Sequence, residues 1–219
     1  MARPASPDAA GGAASAVGRR ERKKRATRAA VGEAALRLSV RHGVEHVTVE
    51  QIAAEADIAP RTFFNHFSSK EEAVLAAAAA GAEALIAEFR VRPRTESVLR
   101  ALREAVLVVL DRNDAASRDY VEALRLIRGE PSLLPHQLAV ITAQEQALAD
   151  AIADRIGPDA ERDRPAYPAL CAASALASLR VILDRWLGCG GEPGALDALR
   201  PEIDRAIGEL AAGLDRPGR

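Results

Sequence analysis

Aromatic residues and cysteine are both scarce in this chain. Phe, Tyr and Trp make up 3% of its 219 residues, and there are two cysteines, Cys171 and Cys189. Two cysteines cannot form a multi-bridge framework, so we expect them to be reduced. The four histidines, His42, His46, His66 and His136, lack the spacing of metal ligands, and we predict neither a metal nor a cofactor. Abundant Ala, Leu, Arg and Glu favour helices over sheets.

Sequence marks of enzymes and of membrane proteins are also missing. We find no Gly-rich phosphate loop, no nucleophile elbow and no metal cluster, so we predict a protein that is not an enzyme. A helical enzyme is the less favoured alternative. No apolar run approaches the roughly 20 residues of a membrane helix. Residues 1–18, rich in Ala, Gly, Pro and Ser, lack the apolar stretch of a signal peptide and predict a disordered tail. We therefore expect a cytoplasmic protein without a membrane partner.

The net charge of −1 hides a strong asymmetry along the chain. Residues 1–70 hold 12 Lys and Arg against 7 Asp and Glu, whereas residues 71–219 hold 18 against 24. A basic N-terminal third on an acidic body suggests that only the first part meets a polyanion such as DNA. Chance clustering on solvated helix faces is the alternative.

Helical periodicity and punctuation predict an all-α chain of about nine helices. We place them at 20–41, 48–56, 61–67, 69–90, 95–113, 115–128, 134–156, 166–187 and 194–214. Gly43 stops the first helix, and two capping boxes, Thr48 to Gln51 and Ser68 to Glu71, open the second and fourth. The predicted organisation is a tail at 1–18, a helix-turn-helix domain at 19–68, a ligand-binding and dimerisation domain at 69–214, and a tail at 215–219.

The second and third helices form a helix-turn-helix pattern, in which two short helices are joined by Asp57-Ile58-Ala59. Phe63 and Phe67, four residues apart, are predicted to pack on the preceding helix. Phe64 points about 100° away from Phe63 and is predicted to be outside the core. The alternative is that all three phenylalanines are core residues. The outward face then carries donors, acceptors and one aromatic ring, namely Arg61, Thr62, Phe64, Asn65 and His66, which suit base edges and phosphates.

The stretch from Arg28 to Leu75 resembles the tetracycline-repressor (TetR) family of bacterial regulators. The resemblance rests on Ala34-Ala35, Gly43, Thr48, Ile52-Ala53, Ala56, Thr62-Phe-Phe-Asn-His-Phe67 and Ser69-Lys70-Glu71. Three residues depart from the family pattern. Ser39 replaces an aromatic residue, Asp57 replaces a turn glycine, and Ala59 replaces a Ser or Thr cap.

The resemblance implies roles for residues of the N-terminal domain. Thr48, His66 and Lys70 are expected to contact phosphates, while Arg61, Thr62, Phe64 and Asn65 face the major groove. The basic stretch before or within the first helix, including Arg20, Lys23 and Lys24, is expected to follow the DNA backbone or enter the minor groove.

Two apolar patterns near the C-terminus predict a dimer. One helix carries Ala173, Ala177 and Val181, and the last carries Leu196, Leu199, Ile203, Ile207 and Leu210 at steps of three and four. Both could simply complete the core of one protomer. The resemblance implies instead a four-helix bundle across a two-fold axis, matched to a palindromic operator, as in a ligand-released repressor.

The helices between 69 and 187 are expected to enclose a small-molecule effector. Candidate lining residues combine aliphatic and aromatic side chains with arginines, namely Phe89, Val106, Leu110, Tyr120, Leu124, Arg125, Arg128 and Trp186. The C-terminal region also resembles regulators of mycofactocin type, which implies an acyl-CoA-like ligand. The alternative is a constitutive DNA-binding regulator with a filled core and no effector.

Overall fold

The computed structural model describes residues 9–114, 117–190 and 198–213, with side chains for all of these except 9–17, 78 and 113–120. These residues form ten α-helices and two short 3-10 helices, and the described part of the chain contains no strand. The helices are α1 (Ala9–His42), α2 (Val49–Glu55), α3 (Pro60–Phe63), α4 (Lys70–Val91), α5 (Val98–Asp114), α6 (Ser117–Gly129), α7 (Leu134–Ile156), α8 (Pro158–Asp163), α9 (Tyr167–Gly188) and α10 (Leu199–Ala212). The predicted all-α class is confirmed.

The helices differ from the prediction chiefly at the start of α1, at the end of α3 and by one additional helix, α8. The first helix starts at Ala9, so the tail predicted to be disordered up to residue 18 is helical from there. Five alanines between 9 and 16 explain this, because alanine is the strongest helix former. Helix α3, predicted over 61–67, ends at Phe63. The additional helix α8 follows Gly157, with Pro158 in its first turn and acidic residues at its positive end.

The chain divides into two compact units, Met1–Ala77 and Ala78–Arg219. The predicted domain boundary, at 68/69, lies nine residues before this division. Ala73, Val74 and Leu75 at the start of α4 are buried with the N-terminal unit. Gly32 on α1 permits their close approach, since a Cβ atom there would lie 3.2 Å from the Ala73 carbonyl oxygen.

The core of the N-terminal unit lies between α1, α2, α3 and the first turns of α4. Gly43 adopts φ +82° after the last residue of α1, and its N–H donates to the Ser39 carbonyl at 2.8 Å, so the predicted helix stop is confirmed. Fully buried side chains from each helix meet in this core, namely Val31, Ala34, Ala35, Ile52, Ala53, Phe63, Phe67 and Val74. The small alanines let the helices pack closely around the two rings.

In the C-terminal unit, α7 packs against α9, and α10 packs against both α9 and α5. The connection from α4 to α5 is held by Arg155 near the end of α7. Its guanidinium donates to the carbonyls of Arg92 at 3.2 Å, Glu96 at 2.9 Å and Pro93. In return, Arg94 donates to the Asp154 carbonyl at 2.7 Å. Arg155 thus holds the loop between α4 and α5, and Arg94 in that loop holds the end of α7.

One described helix, α9, is long and apolar enough to cross a membrane by length and composition alone. The helix is not a continuous apolar run, because Arg180, Asp184 and Arg185 lie within it. A helix in an ordinary protein core passes the same test. In this fold α9 contributes Ala172, Ala175 and Ile182 to the core of the C-terminal unit. The finding is therefore weak evidence for a membrane span.

Candidate nucleic-acid interface

The segment from α3 to Phe67 separates its phenylalanines as the spacing predicts. Phe63 and Phe67 are buried, with ring centroids 5.7 Å apart. Phe64 is 60% exposed and touches Phe63 only edge-on. The alternative in which all three rings are core is therefore wrong for Phe64. Full burial of Phe63 stabilises the unit by roughly 2–3 kcal/mol.

Phe64 shares the outward surface of this segment with polar side chains. Arg61 and Asn65 are exposed, whereas Thr62 and His66 are half-buried. The Nδ1 atom of His66 is buried and has no partner among the described residues, so only the rest of its ring is open to a phosphate. Beyond Phe63 the chain continues as a turn, with the Asn65 N–H donating to the Thr62 carbonyl at 3.2 Å. Contact of these residues with DNA stays a prediction.

The turn between α2 and α3 tolerates its departures from the family pattern. Asp57 occupies the left-handed region at φ +52°, which aspartate enters more readily than most residues. Ala59 precedes α3 without a capping side chain, and Pro60 fills the first helical position, where no N–H partner is needed. The cap lost at Ala59 is worth roughly 1 kcal/mol. Local capping therefore contributes little to fixing α3.

Thr48 closes the start of α2 with the predicted capping box. Its Oγ1 accepts from the Gln51 N–H at 3.3 Å, and Gln51 Oε1 accepts from the Thr48 N–H at 2.9 Å. Because the hydroxyl oxygen acts as acceptor, its own hydrogen is left for an external acceptor. The exposed Thr48 side chain is thus suited to donate to a phosphate.

Lys70, which is predicted to contact a phosphate, makes three hydrogen bonds within the protein. Its ammonium donates to the carbonyls of Val44 at 2.8 Å, Glu45 at 3.2 Å and Val47 at 2.9 Å. A lysine ammonium has three donors, and all three are used here. Lys70 therefore holds the turn that leads into α2. No local pattern indicates these contacts, because the partners lie at least 23 residues away.

The second predicted capping box lies one residue later than expected. Ser69 Oγ, not that of Ser68, accepts from the N–H of Glu72 at 3.1 Å. The Glu72 carboxylate in turn accepts from both the N–H and the hydroxyl of Ser68, each at 2.8 Å. The box therefore uses Glu72 rather than Glu71.

Arg28 on α1 contacts the same carboxylate, and the prediction did not include it. Its Nη2 lies 3.2 Å from Glu72 Oε1, and its Nη1 donates to the His66 carbonyl. Its guanidinium carbon lies 4.1 Å from the centroid of the Phe67 ring. Burial alone would raise the pKa of Glu72, but the donors of Ser68 and the guanidinium of Arg28 together lower it. No short motif links these residues, since they are more than 35 positions apart.

The basic stretch that includes Arg20, Lys23 and Lys24 lies within α1. All three side chains are exposed. Because they belong to a continuous helix, the stretch does not form an extended arm of the kind that enters a minor groove. A helix that follows the DNA backbone is the remaining version of the prediction.

The predicted effector residues fall into two groups. Phe89, Val106, Leu110 and Trp186 belong to or pack against one apolar cluster, in which Phe89 is fully buried. Leu124 is half-buried and Arg125 is exposed on α6, while Arg128 forms an ion pair with Asp184 of α9. The side chain of Tyr120 lies outside the described residues. The structure thus brings together the apolar half of the predicted set.

The predicted dimer residues divide between core and surface. Leu199, Ile203 and Ile207 are buried inside the protomer, so the assignment of this part of α10 to a subunit interface is wrong. Their periodicity reflects packing on α5 and α9. Leu210 is half-buried, and Leu196 lies outside the described residues. On α9, Ala173 and Ala177 are half-buried, while Val181 is 53% and Leu170 is 65% exposed.

Comparison with known proteins gives concordant matches for both units. Residues 33–78 match the family described as bacterial regulatory proteins, tetR family, and residues 96–215 match the MftR C-terminal domain. The HTH-type transcriptional regulator TcmR of Streptomyces glaucescens is 38% identical over 203 residues, covering 85% of this chain and 88% of that protein.

Solved structures with the same fold include two repressors. SmeT, the repressor of the Stenotrophomonas maltophilia multidrug efflux pump SmeDEF, is 20% identical with a TM-score of 0.54, over 88% of this chain and 94% of that one. Thermus thermophilus FadR, in complex with lauroyl-CoA, is 20% identical with a TM-score of 0.53, over 88% of this chain and 100% of that one.

Proposed function

Since this chain belongs to the tetR family of transcriptional regulators, we propose that it is a repressor released by an amphiphilic effector. It reads its operator with the outward face of residues 60–67, the recognition segment, which comprises α3 and the turn after it. Regulators of this family bind operator DNA and small molecules and act as dimers; they are not enzymes. The proposal adds the residues that read the operator and the chemistry of the effector. It places the protein in the cytoplasm, where bacterial DNA lies.

The observation that carries the DNA-binding part is the exposure of Phe64 between Arg61 and Asn65. Within the fold Phe64 contributes an edge-on contact with Phe63, and most of its ring is left open to a partner. In a major groove its ring can contact thymine methyl groups, while Arg61 and Asn65 can donate to and accept from base edges. Phe63 and Phe67 anchor the opposite side of the same segment in the core.

Selection from a random duplex pool with the full-length chain tests this part. We expect enrichment of a palindromic sequence, with half-sites roughly one helical turn apart, as two recognition helices require. Binding of the selected duplex should weaken steeply with salt because several phosphates are neutralised. Failure to enrich any sequence would contradict the proposal. A scrambled duplex of equal composition is the control.

The effector we propose is a long-chain acyl thioester or a similar amphiphilic anion. The apolar cluster with Phe89, Val106 and Trp186 suits an acyl chain. Arg125 and Arg128 on α6 supply cationic groups, and Arg128 already pairs with a carboxylate, that of Asp184. FadR, which has the same fold, is complexed with lauroyl-CoA, so acyl-CoA is the natural class to test. A ligand that binds the DNA-free form 100-fold better supplies roughly 2.7 kcal/mol of coupling.

Titration of the operator complex with acyl-CoAs of increasing chain length tests the effector. Release that grows with chain length supports the proposal, and free CoA is the control for the head group alone. If no acyl-CoA releases the DNA, the effector assignment is wrong while the DNA-binding assignment stands. Insensitivity to every amphiphile would favour a constitutive regulator.

A further inference from the structure

We infer that Arg28 and Glu72 are positioning residues for sequence-specific binding, because the pair holds the end of the recognition segment against α1 and α4. The inference rests on the proposed DNA-reading role of α3 and names two residues that act through it. Neither residue needs to touch a base.

Arg28 contacts both the backbone and a side chain at the end of the recognition segment. One guanidinium nitrogen donates to the His66 carbonyl, and another lies 3.2 Å from Glu72 Oε1. The carbon atom of the same guanidinium lies over the Phe67 ring, 4.1 Å from the ring centroid. A planar guanidinium can make these contacts at once, whereas an ammonium is a point donor. Arg28 therefore fixes both the backbone and the side chain at this end.

The contacts of Glu72 complete the arrangement from the other side. Oε1 faces Arg28, and Oε2 accepts from the N–H and hydroxyl of Ser68 at 2.8 Å each. Both carboxylate oxygens are thus used, and they link α1, the connection at Ser68 and the first turn of α4. A charge-assisted network of this kind is stronger than the same number of neutral hydrogen bonds.

The recognition segment depends on such external contacts because its own hydrogen bonding is limited. The α-helical part of α3 is four residues long, and Ala59 gives it no side-chain cap. After Phe63 the chain is held by turn-type bonds such as that from Asn65 to Thr62. Base contacts require the outward side chains to keep a fixed position in the groove. If the end of the recognition segment is held less firmly, contacts with base edges are therefore lost before contacts with phosphates.

When the charge of Glu72 is removed, charge repulsion alone and the positioning role predict opposite changes in operator binding. Removing a negative charge from a DNA-binding surface should strengthen binding to any DNA, since phosphate repulsion falls. If Glu72 positions the recognition segment, the neutral variant Glu72→Gln should instead bind the operator more weakly. The sign of the effect distinguishes the two.

The experiment measures dissociation constants for two duplexes, one selected from a random pool by the wild-type chain and one scrambled. For Glu72→Gln we expect about a tenfold loss on the selected duplex, the size of one lost base contact, and little change on the scrambled one. Glu71→Gln, which removes the same charge from the neighbouring position, is the matched control and should bind the selected duplex at least as tightly as wild type.

A second variant and a double variant separate positioning from folding. Arg28→Lys keeps the cation but loses the planar group, so we expect a similar selective loss with an unchanged salt dependence. Combining Arg28→Gln with Glu72→Gln should cost no more than one change alone, because both break the same link. Circular dichroism first identifies a temperature at which every variant keeps the helix content of the wild-type protein. Binding is then measured at that temperature, so that only folded proteins are compared.

Three results would overturn the inference. These are unchanged or tighter operator binding by Glu72→Gln, an equal loss on both duplexes, or a fall of about one in the salt slope of Arg28→Gln, which would indicate a direct phosphate contact. If the wild-type chain itself prefers no sequence, the proposed function fails instead.

Discussion

Arg61 and Asn65 are exposed on the segment whose other side is anchored by Phe63 and Phe67. If they contact base edges, Arg61→Ala and Asn65→Ala should each cost roughly 1–3 kcal/mol of operator binding and relax the sequence preference. Competition binding against a panel of single-base operator variants measures both effects. Lys24→Ala, on the basic stretch of α1, should weaken all duplexes alike. An Asn65→Ala protein with unchanged affinity and preference would mean that this face does not enter the groove.

Lys70 differs from these residues because its donors are already used within the protein. Lys70→Met keeps the aliphatic stem but leaves the carbonyls of Val44, Glu45 and Val47 without their shared partner. We expect a loss of roughly 1–3 kcal/mol in the free energy of unfolding, the usual cost of unmet polar groups. Urea unfolding followed by circular dichroism measures it. A normal unfolding curve together with weaker, less salt-dependent DNA binding would restore the phosphate role first predicted for Lys70.

At the scale of helices and loops, Arg155 illustrates how one side chain can hold a connection. It donates to three carbonyls between Arg92 and Glu96, and its guanidinium carbon lies 5.3 Å from the Phe89 ring centroid. Arg155→Met should destabilise the C-terminal unit by about 1–3 kcal/mol and speed amide exchange in α5. Hydrogen exchange with mass spectrometry locates the effect. Arg162→Met, on the exposed helix α8, is the control, and equal exchange in both variants would contradict the assignment.

Elements defined by local signals were predictable from the sequence, whereas long-range partners were not. The capping box at Thr48 and the stop at Gly43 each depend on residues within four positions, and the structure has both. The partners of Arg28 and Lys70 lie 23 to 44 positions away, so no window of sequence contains them.

The apolar stripe of α10 shows a second limit. Its period identified a buried face, but a buried face looks the same whether another helix of the same chain or a second subunit covers it. Leu199 and Ile203 proved to pack within the protomer. Ion pairs reinforce this packing, since Arg103 of α5 and Asp204 of α10 are joined by two contacts at 2.7 and 3.1 Å.

For the whole molecule, the exposed side of α9 is the surface that best suits dimerisation. Leu170, Ala177 and Val181 follow one another at seven and four residues, which places them on one face. Val181→Arg should therefore give monomers in sedimentation velocity, with native helix content and weaker operator binding, because two half-sites are no longer bound together.

Two further variants test this surface against its alternatives. Leu138→Arg changes a leucine on α7 that is more exposed than Val181, at 69% against 53%, and should remain dimeric. Leu199→Arg should unfold the C-terminal unit, because it places a charge in the core of the protomer. A dimeric Val181→Arg beside a monomeric Leu138→Arg would move the interface to α7.

The commitment of Lys70 to three carbonyls has a practical consequence for chemical labelling. The sequence contains only three lysines, and the other two, Lys23 and Lys24, are adjacent and exposed on α1. An amine-reactive dye or acetylating reagent should therefore modify side chains almost entirely at this one point, beside the surface assigned to DNA. Peptide mass spectrometry of wild-type protein, labelled with and without operator, then becomes a footprint of the basic stretch. No engineered cysteine is needed to obtain it.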